Sequence, residues 1–550
     1  MNLLKLIIFL KTEIKKSIDK LKIKLNKEFE TPPIVVELPA QKIHGDLSTN
    51  ISMVCSKKFG VSPREIADFL TKDLNGLKYI SKIEIAGPGF VNFFVDNSYL
   101  IDSLKETESY DYGKINENSG KRILVEFVSS NPTGPMHIGN ARLGALGDTL
   151  SSVLSLSGFD VCKEFYVNDA GNQIKKFSES LASRYLQFFD PNVEFPEDGY
   201  HGDDIKKLAK QFKDIHGDSF FKKGDLQKEI LNYALPLNIS KMKSNLSDYR
   251  VNYDNWFYES SLYKSGEIDS TIQYLKDHNA TYYSDKTLWF KASEYGAEKD
   301  EVLIRNNGIP TYFAADIAYH VNKFLTRKFD FCVDFLGADH HGHISRMHAA
   351  MRCFGIEKSR LIFIIVQMVR IIKNGEVSSM SKRSGNSESL EDFLKMISVD
   401  CARFIFTMYD ANSTMDFDID MALKNDMSNP SYYVKYAYAR IQSITKKFNY
   451  IPKFEDININ LLTSDSEKEL IFTLSMFPNE IKESASTMNP TRITKYALKL
   501  ASIFHKFYNE SKVYSDNVNL SNARFYLCLK ISSVLKKLLN ILKISTPENM

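Results

Sequence analysis

The sequence predicts a three-part chain: an α/β domain built on a Rossmann-type parallel sheet, preceded by a small α+β domain and followed by an all-helical one. Three observations carry this. The apolar runs at 123–128 and 331–336 read as buried strands, and each is followed by a Gly-containing loop that leads into a helix, the alternation expected of a parallel sheet. Ahead of them, a long amphipathic helix and short alternating segments share the first 112 or so residues. From Pro430 onward only helical periodicity remains, with Val434, Ala437, Ile441 and Ile444 on one face and similar stripes in 465–480, 491–510 and 521–542. The predicted boundaries are 1–112, 118–425 and 426–550.

Size and composition agree. A chain of 550 residues, 43% hydrophobic and 25% charged, has the length and apolar content for several cores. Its net charge of +3 is unevenly placed: residues 481–550 hold eleven Lys/Arg against four Asp/Glu, a local +7, which leaves −4 for the rest. That asymmetry fits a C-terminal surface that meets phosphates, and equally fits lysine-rich solvated helix faces. Six cysteines (55, 162, 332, 353, 401 and 528) form no CxxC pair, which argues against a disulfide framework or a cysteine zinc site and fits a reducing, cytoplasmic compartment. Residues 3–10 have the texture of a short signal core, but Lys5 interrupts it and no small-residue cleavage site follows. They read as the start of a helix running to about Asn26. No apolar run approaches the ~20 residues of a membrane span, so no membrane partner is expected.

Within the first domain, a strand is expected at 34–38 and a turn-rich stretch at 44–50 leads into a helix through Phe59. A strand pair is expected around Ala86-Gly87-Pro88-Gly89. The polar segment 114–121 reads as a linker.

Phosphates are well held where a strand ends, a Gly/Pro loop turns and a helix N-terminus offers free N–H groups. Residues 125–148 have that layout, with His137-Ile138-Gly139-Asn140 opening the helix. Gly139 would let a nucleotide approach the backbone, and His137 can donate a hydrogen bond to a phosphate oxygen as charge develops. There is no P-loop and no GxGxxG fingerprint. Alone, the motif also reads as a capped helix with an incidental histidine.

A second polar loop, Ser379-Met380-Ser381-Lys382-Arg383-Ser384, follows an Asn374-Gly375 turn and the apolar strand 361–366. Lys382 is a flexible point charge able to follow a leaving pyrophosphate. Alone, this is a solvated basic loop. The two stretches in this order, about 240 residues apart, resemble the HIGH and KMSKS elements of class I aminoacyl-tRNA synthetases. Gly337-Ala338-Asp339-His340, after a strand, resembles that class's ribose-contacting turn.

The surrounding text resembles the arginyl-tRNA synthetase family over essentially the whole chain. The matching segments include HGDLSTNISM (44–53), AGPGFVNFF (86–94), VEFVSSNPTGPMHIGN (125–140), FYVNDAGNQI (165–174), TYFAADIAYH (311–320), GADHHGH (337–343), MSKRSGN (380–386) and NPSYYVKYAYARIQSI (429–444). A guanidinium independently calls for carboxylates in a partly dry pocket, and Glu126 and Asp316 are available, with Asp316 one helical turn beyond Tyr312. Read alone, Glu126 is also a strand-end surface carboxylate and Asp316 a helix N-cap.

The resemblance implies an arginine site of Glu126, Ser129, Asn131, His137, Tyr312, Asp316 and His340. It implies an ATP site of Pro135, His137, Gly139, Asn140, Gly337, Asp339, His340, Met368, Met380, Ser381 and Lys382, with His137, Asn140 and Lys382 catalytic. His340, His341, His343 and His348 would crowd the ATP site rather than bind metal. ATP arrives with Mg²⁺ as substrate, and no tightly bound protein metal is expected. The C-terminal domain resembles the family's anticodon-binding bundle, with tRNA contacts expected at Tyr436, Tyr438, Arg440, His505 and Met550; Lys506 and Tyr508 suit the same surface, and half of these residues read equally as core, since aromatics at helical spacing usually pack inward. Asp46 and Asn50 would meet tRNA from the N-terminal domain. Partners are tRNA(Arg), L-arginine and ATP, and a monomer is expected.

Two positions depart from the ideal pattern. Asn140 stands where the first signature usually has a second histidine, and Ser379 where the second has its first lysine, while Lys382 is kept. Three rivals are a synthetase for another amino acid, a silent tRNA-binding paralogue and a small nucleotidylyltransferase. Glu126 with Asp316, the intact His137, Gly139 and Lys382, and the helical C-terminal third oppose them in turn.

Overall fold

The structure, a computed structural model, describes residues 1–221, 224–338, 341–378 and 389–550, with His341 and Ser378 described by backbone alone. The N-terminal domain opens with α1 (Leu3–Lys24), capped by Asn2, whose side-chain oxygen accepts the Lys5 N–H at 3.0 Å. Its stripe Leu3, Leu6, Leu10, Ile14, Ile18 and Leu21 recurs every three or four residues and is buried, so apolar spacing alone accounts for its docking. Then come β1 (Leu47–Thr49), α2 (Ile51–Phe59), α3 (Pro63–Asp73), β2 (Ile80–Ala86), β3 (Phe90–Val95) and α4 (Asn97–Glu106), the strands forming an antiparallel β1-β3-β2 sheet. The strand expected at 34–38 does not form; a single bridge joins Glu37 to Ser48. Pro32, Pro33 and Pro39 flank it, and proline has no N–H for a ladder.

The central domain begins with β4 (Arg122–Glu126), α5 (Ile138–Leu156) and β5 (Asp160–Val167). Next, α6 (Gly171–Leu186), α7 (Asp203–His216) and α8 (Leu226–Asp248) pack around their own core of Phe177, Leu181, Tyr185, Phe212 and Ile230. The chain continues through β6 (Asn255–Tyr258), α9 (Glu259–Lys264), α10 (Glu267–Asp277) and the antiparallel strands β7 (Thr281–Ser284), β8 (Thr287–Phe290) and β9 (Glu301–Ile304). After them come α11 (Tyr312–Val321), a π-helical turn (Asn322–Thr326), β10 (Phe331–Gly337), α12 (His341–Cys353) and β11 (Leu361–Val366).

Five strands pair in parallel in the order β11-β10-β4-β5-β6. From β4 the chain works outward to β6, then returns to lay β10 on the other side of β4. The switch point therefore lies between β4 and β10, and open α/β sheets bind ligands at the carboxyl ends of the strands there.

A hairpin follows, β12 (Val369–Lys373) and β13 (Glu376–Ser378), turning at Asn374 and Gly375 with φ of 54° and 77°, as a two-residue turn with both centres left-handed requires. The domain closes with α13 (Leu390–Met396), α14 (Val399–Met408), β14 (Met415–Asp418), which pairs with β12, and α15 (Ile419–Ala422). The C-terminal bundle is α16 (Pro430–Thr445), α17 (Asp465–Ser475), α18 (Phe477–Ser486), α19 (Thr491–Glu510) and α20 (Val518–Ile541).

Specific polar contacts join the parts. The N-terminal domain rests on the bundle, with the Tyr99 hydroxyl donating to Ser475 Oγ at 2.8 Å and Tyr112 to the Leu474 carbonyl at 2.7 Å. Arg403 of α14 is fully buried and joins Asp148 of α5 at 2.6 Å and the Leu542 carbonyl at 2.7 Å. No helix among the described residues is long and apolar enough to cross a membrane.

Candidate active site

The strand β4 delivers Glu126 to the switch point, and the chain leaves the sheet abruptly. Val128 and Ser129 have φ of 72° and 36°, a conformation that costs a β-branched residue about 1–3 kcal/mol. Ser129 holds the turn in place. Its hydroxyl donates to Glu126 Oε1 at 2.9 Å and accepts the Tyr166 N–H at 3.1 Å, bridging β4 to β5.

The first signature is a capping structure. His137 is the N-cap of α5: its Nδ1 accepts the Gly139 N–H at 3.1 Å, and its own N–H donates to Asn140 Oδ1 at 2.9 Å. With Nδ1 accepting, a neutral ring carries its proton on Nε2. A Cβ on Gly139 would lie 2.9 Å from His137 Cε1, so this glycine makes room for the imidazole. Asn140 is buried and its side-chain carbonyl is committed to the cap, so it supports His137.

Pro135 is exposed beside this turn, and Gly337 ends β10 in register with Val366. Met368 is exposed between β11 and β12. Asp339, His340, Met380, Ser381 and Lys382 lie outside the described residues. The chain that follows Lys382 is nonetheless anchored at the first signature: Ser389 bridges His137, and the Leu390 N–H donates to the Met136 carbonyl at 2.8 Å. Arg142, fully buried on α5, donates to the carbonyls of Gln367, Asp410 and Ser413 at 2.8–2.9 Å. It ties the histidine helix to the segment that carries Met368.

The acidic side of the site exceeds what the sequence suggested. Asp334, Glu126 and Glu164 are register partners across β10, β4 and β5, three carboxylates in a row. Like charges so placed repel, and α11 with its π turn supplies the answer. Lys323, fully buried, sets Nζ 2.7 Å from Glu126 Oε2 and 2.8 Å from Asp334 Oδ1. Arg327 pairs with Glu164, and the Tyr319 hydroxyl reaches Glu164 at 2.6 Å and Glu126 at 3.0 Å. Burial pushes the Glu126 carboxyl up, and the Lys323 ammonium pulls it back only in part.

Asp316 lies in the body of α11, whose cap is Thr311. Its Oδ2 is 2.6 Å from His343 Nε2, and His320 Nδ1 approaches Oδ1 at 3.5 Å. Burial opposes ionisation there, but hydrogen bonds from the two histidines hold the carboxyl well below the usual range. His320 also bonds Asp334 at 2.8 Å through Nε2. Burial and Lys323 lower its pKa, but Asp316 and Asp334 outweigh them and lift it to about 9. Tyr312, one turn before Asp316, accepts the Asn172 N–H at 3.0 Å and stands over Gly171. Asn131 is exposed in the loop.

Several expectations change. His343 serves Asp316 rather than ATP alone. His348 bonds the Leu361 carbonyl at 3.0 Å and packs on Phe363. Lys323, Asp334, Glu164, Arg327, Tyr319 and His320 were not singled out. Neither was Glu259, a buried carboxyl at the start of α9 that burial lifts to about 7. The spacing of Asp316, Tyr319, His320 and Lys323, at i, i+3, i+4 and i+7, was the available signal. Among the described residues, no group of three or more His, Cys, Asp or Glu is arranged to hold a metal ion.

On the bundle, the Arg440 guanidinium lies 4.6 Å from the Tyr436 ring and 4.4 Å from Tyr508. Tyr438 is buried in the core instead of facing solvent. His505 is buried as well, with Nε2 3.2 Å from the Tyr433 carbonyl. Asp46 is half-buried and accepts the Val95 N–H at 2.9 Å. Asn50 is half-buried at the head of α2, and Met550 is exposed.

A parallel sheet of this order, with a histidine-capped helix at its switch point and a helical bundle behind, defines a class I aminoacyl-tRNA synthetase. Family models agree: tRNA synthetases class I (R), catalytic domain, matches residues 103–418; arginyl tRNA synthetase N terminal domain matches 9–95; DALR anticodon binding domain matches 434–550. The arginine–tRNA ligase of Caldanaerobacter subterraneus is 47% identical over 94% of both chains, and that of Acetivibrio thermocellus 46% identical over 95% of both. The arginyl-tRNA synthetase structure from Thermus thermophilus superposes with a TM-score of 0.77 at 19% identity, covering 99% of this chain and all of that one. This chain belongs to the arginyl-tRNA synthetase family, whose members use ATP to join arginine to tRNA.

Proposed function

We propose that Glu126 and Asp316 receive the substrate guanidinium at the switch point, with Ser129, Asn131, Tyr312, His137 and His340 completing the arginine site. The observation that carries this reading is the pair of carboxylates at the end of β4 and on α11, each held in place by its own fixed donors. Preorganised acceptors of this kind cost no rearrangement when a cation arrives.

ATP, accompanied by Mg²⁺ as part of the substrate, lies along Pro135, His137, Gly139, Gly337, Asp339, His340, Met368, Met380, Ser381 and Lys382. The arginine carboxylate attacks the α-phosphorus, the bond to the β,γ-pyrophosphate breaks, and arginyl-adenylate forms. His137 donates from Nε2 to a phosphate oxygen as charge builds, and Lys382 follows the departing pyrophosphate. Asn140 contributes by holding His137. The terminal ribose hydroxyl of tRNA(Arg) then attacks the arginyl carbonyl carbon and AMP leaves. Positioning and charge stabilisation carry both steps, with no covalent nucleophile. Tyr436, Arg440 and Tyr508 offer stacking and charge to unpaired anticodon-loop bases. The enzyme works as a cytoplasmic monomer.

The test is arginine-dependent ATP–pyrophosphate exchange, run with tRNA present, on Glu126→Gln and Asp316→Asn. A hydrogen bond to a charged group is worth about 1.5–3 kcal/mol, so each variant should raise the arginine KM roughly 10- to 150-fold while the ATP KM stays near wild type. Unchanged arginine KM in both would contradict the assignment.

A further inference from the structure

Inside the protein, the Glu126 Oε2 accepts from Lys323 Nζ at 2.7 Å and is covered by the Tyr319 hydroxyl at 3.0 Å, whose one proton lies nearer Glu164 at 2.6 Å; its Oε1 accepts from Ser129 at 2.9 Å. A substrate donor can therefore reach Glu126 only at Oε1. The group that closes Oε2 is unusual. Lys323 is a cation with no solvent exposure, and it enters on a π-helical turn, a distortion found mostly as single turns and frequently at functional sites.

Lys323 also joins the two ends of the pocket. Running inward from Glu126, the charges alternate: Glu126, Lys323, Asp334, His320, Asp316. The two carboxylates assigned to the guanidinium are thus wired together through Asp334, itself on the central strand β10. Asp334, Glu126 and Glu164 would repel one another across the sheet. Lys323 faces the first two and Arg327 the third, while His343 donates to Asp316 from outside.

We propose that Lys323 is a positioning residue for arginine selection: its ammonium fills the inner cation position between Glu126 and Asp334 and leaves only the Oε1 edge of Glu126 facing a planar guanidinium. This rests on the reading that Glu126 and Asp316 take the guanidinium. Two consequences follow. A substrate ammonium has no open inner site to occupy, because Lys323 holds it. And Glu126, already pushed up by burial, is pushed further up without its neighbour, so a larger share of it is protonated at the acid end of the working range. Removing an opposite charge at this range moves a carboxyl by about 1–3 pKa units, and each unit is a tenfold change in the ionised fraction below the new pKa.

The experiment compares Lys323→Met, Lys323→Met/Asp334→Asn and Glu126→Gln with wild type in ATP–pyrophosphate exchange at pH 6 to 9, with tRNA present. The readout is each variant's arginine KM divided by the wild-type value at the same pH. For Lys323→Met the ratio should be largest at pH 6 and shrink as pH rises to 9, with the ATP KM unmoved. The double variant removes the facing carboxylate with the lysine and so guards against misfolding; because Asp334 itself raises the Glu126 carboxyl, the ratio should still fall with rising pH, less steeply than in Lys323→Met. Glu126→Gln should give a raised ratio that does not vary with pH. A raised ratio in Glu126→Gln with a flat ratio in both lysine variants overturns the inference and leaves the arginine site standing. Recovery of wild-type KM in the double variant would mean that Lys323 merely supports the fold, and likewise overturns it. An unchanged arginine KM in Glu126→Gln takes down the arginine-site reading and this inference with it.

Discussion

His320 offers a quantitative test of the internal charge network. It is buried between Asp316 and Asp334, and its pKa rises to about 9 from an ordinary 6.5. A group whose folded pKa is raised stabilises the fold fully below its unfolded pKa and loses that contribution as pH climbs through the folded value. The window is therefore pH 6.5 to 9. At about 1.36 kcal/mol per unit, the shift corresponds to about 3 kcal/mol. The perturbation is His320→Gln, which keeps a polar side chain and removes the titration. The chain's two tryptophans, Trp256 on β6 and Trp289 on β8, both lie in the central domain, so fluorescence-detected denaturant unfolding reports the domain that holds His320. The stability of wild type minus that of the variant should fall by about 3 kcal/mol between pH 6 and pH 10. A difference that stays constant over that range would refute the claim that His320 is a buried cation paired with two carboxylates.

Two further outcomes follow from packing. Gly139→Ala places a methyl within 3 Å of the His137 ring, so the imidazole must move; kcat for adenylate formation should fall about 10- to 100-fold with a smaller change in arginine KM, since misplacement of a catalytic group by an ångström is costly, and an unchanged kcat in steady-state exchange would argue against His137 as the phosphate donor. Arg440→Ala removes the guanidinium between Tyr436 and Tyr508 and should raise the tRNA KM in aminoacylation about 5- to 30-fold, the size of a cation–π or base-stacking contact, with little change at saturating tRNA; an unaltered tRNA KM would remove this patch from the interface.

Much of the fold was legible because it follows from periodicity. The helical stripes of α1 and α16 and the strand runs at 123–128, 331–336 and 361–366 all formed close to where spacing placed them. The missing strand at 34–38 was legible too, since three prolines bound it. Tyr438, open between a surface contact and a core residue, sits four residues after Val434 and three before Ile441, on the stripe that buries. Its burial was written in the same periodicity. The inner charge network was harder to see. Asp334, Glu126 and Glu164 are far apart in sequence and meet only through strand register. One part was readable: Asp316, Tyr319, His320 and Lys323 fall on one face of an otherwise apolar helix, where unexplained polar residues signal a buried partner. That Asp46 would accept the Val95 N–H could not be read from a turn-rich sequence, because it depends on where β3 lies.

The central claim is that this active site selects arginine for activation by ATP. ATP–pyrophosphate exchange with each of the twenty amino acids in turn, with and without tRNA, tests it most directly. The account predicts exchange with arginine alone, promoted by tRNA. Exchange driven by a different amino acid, or none under any condition, would contradict it.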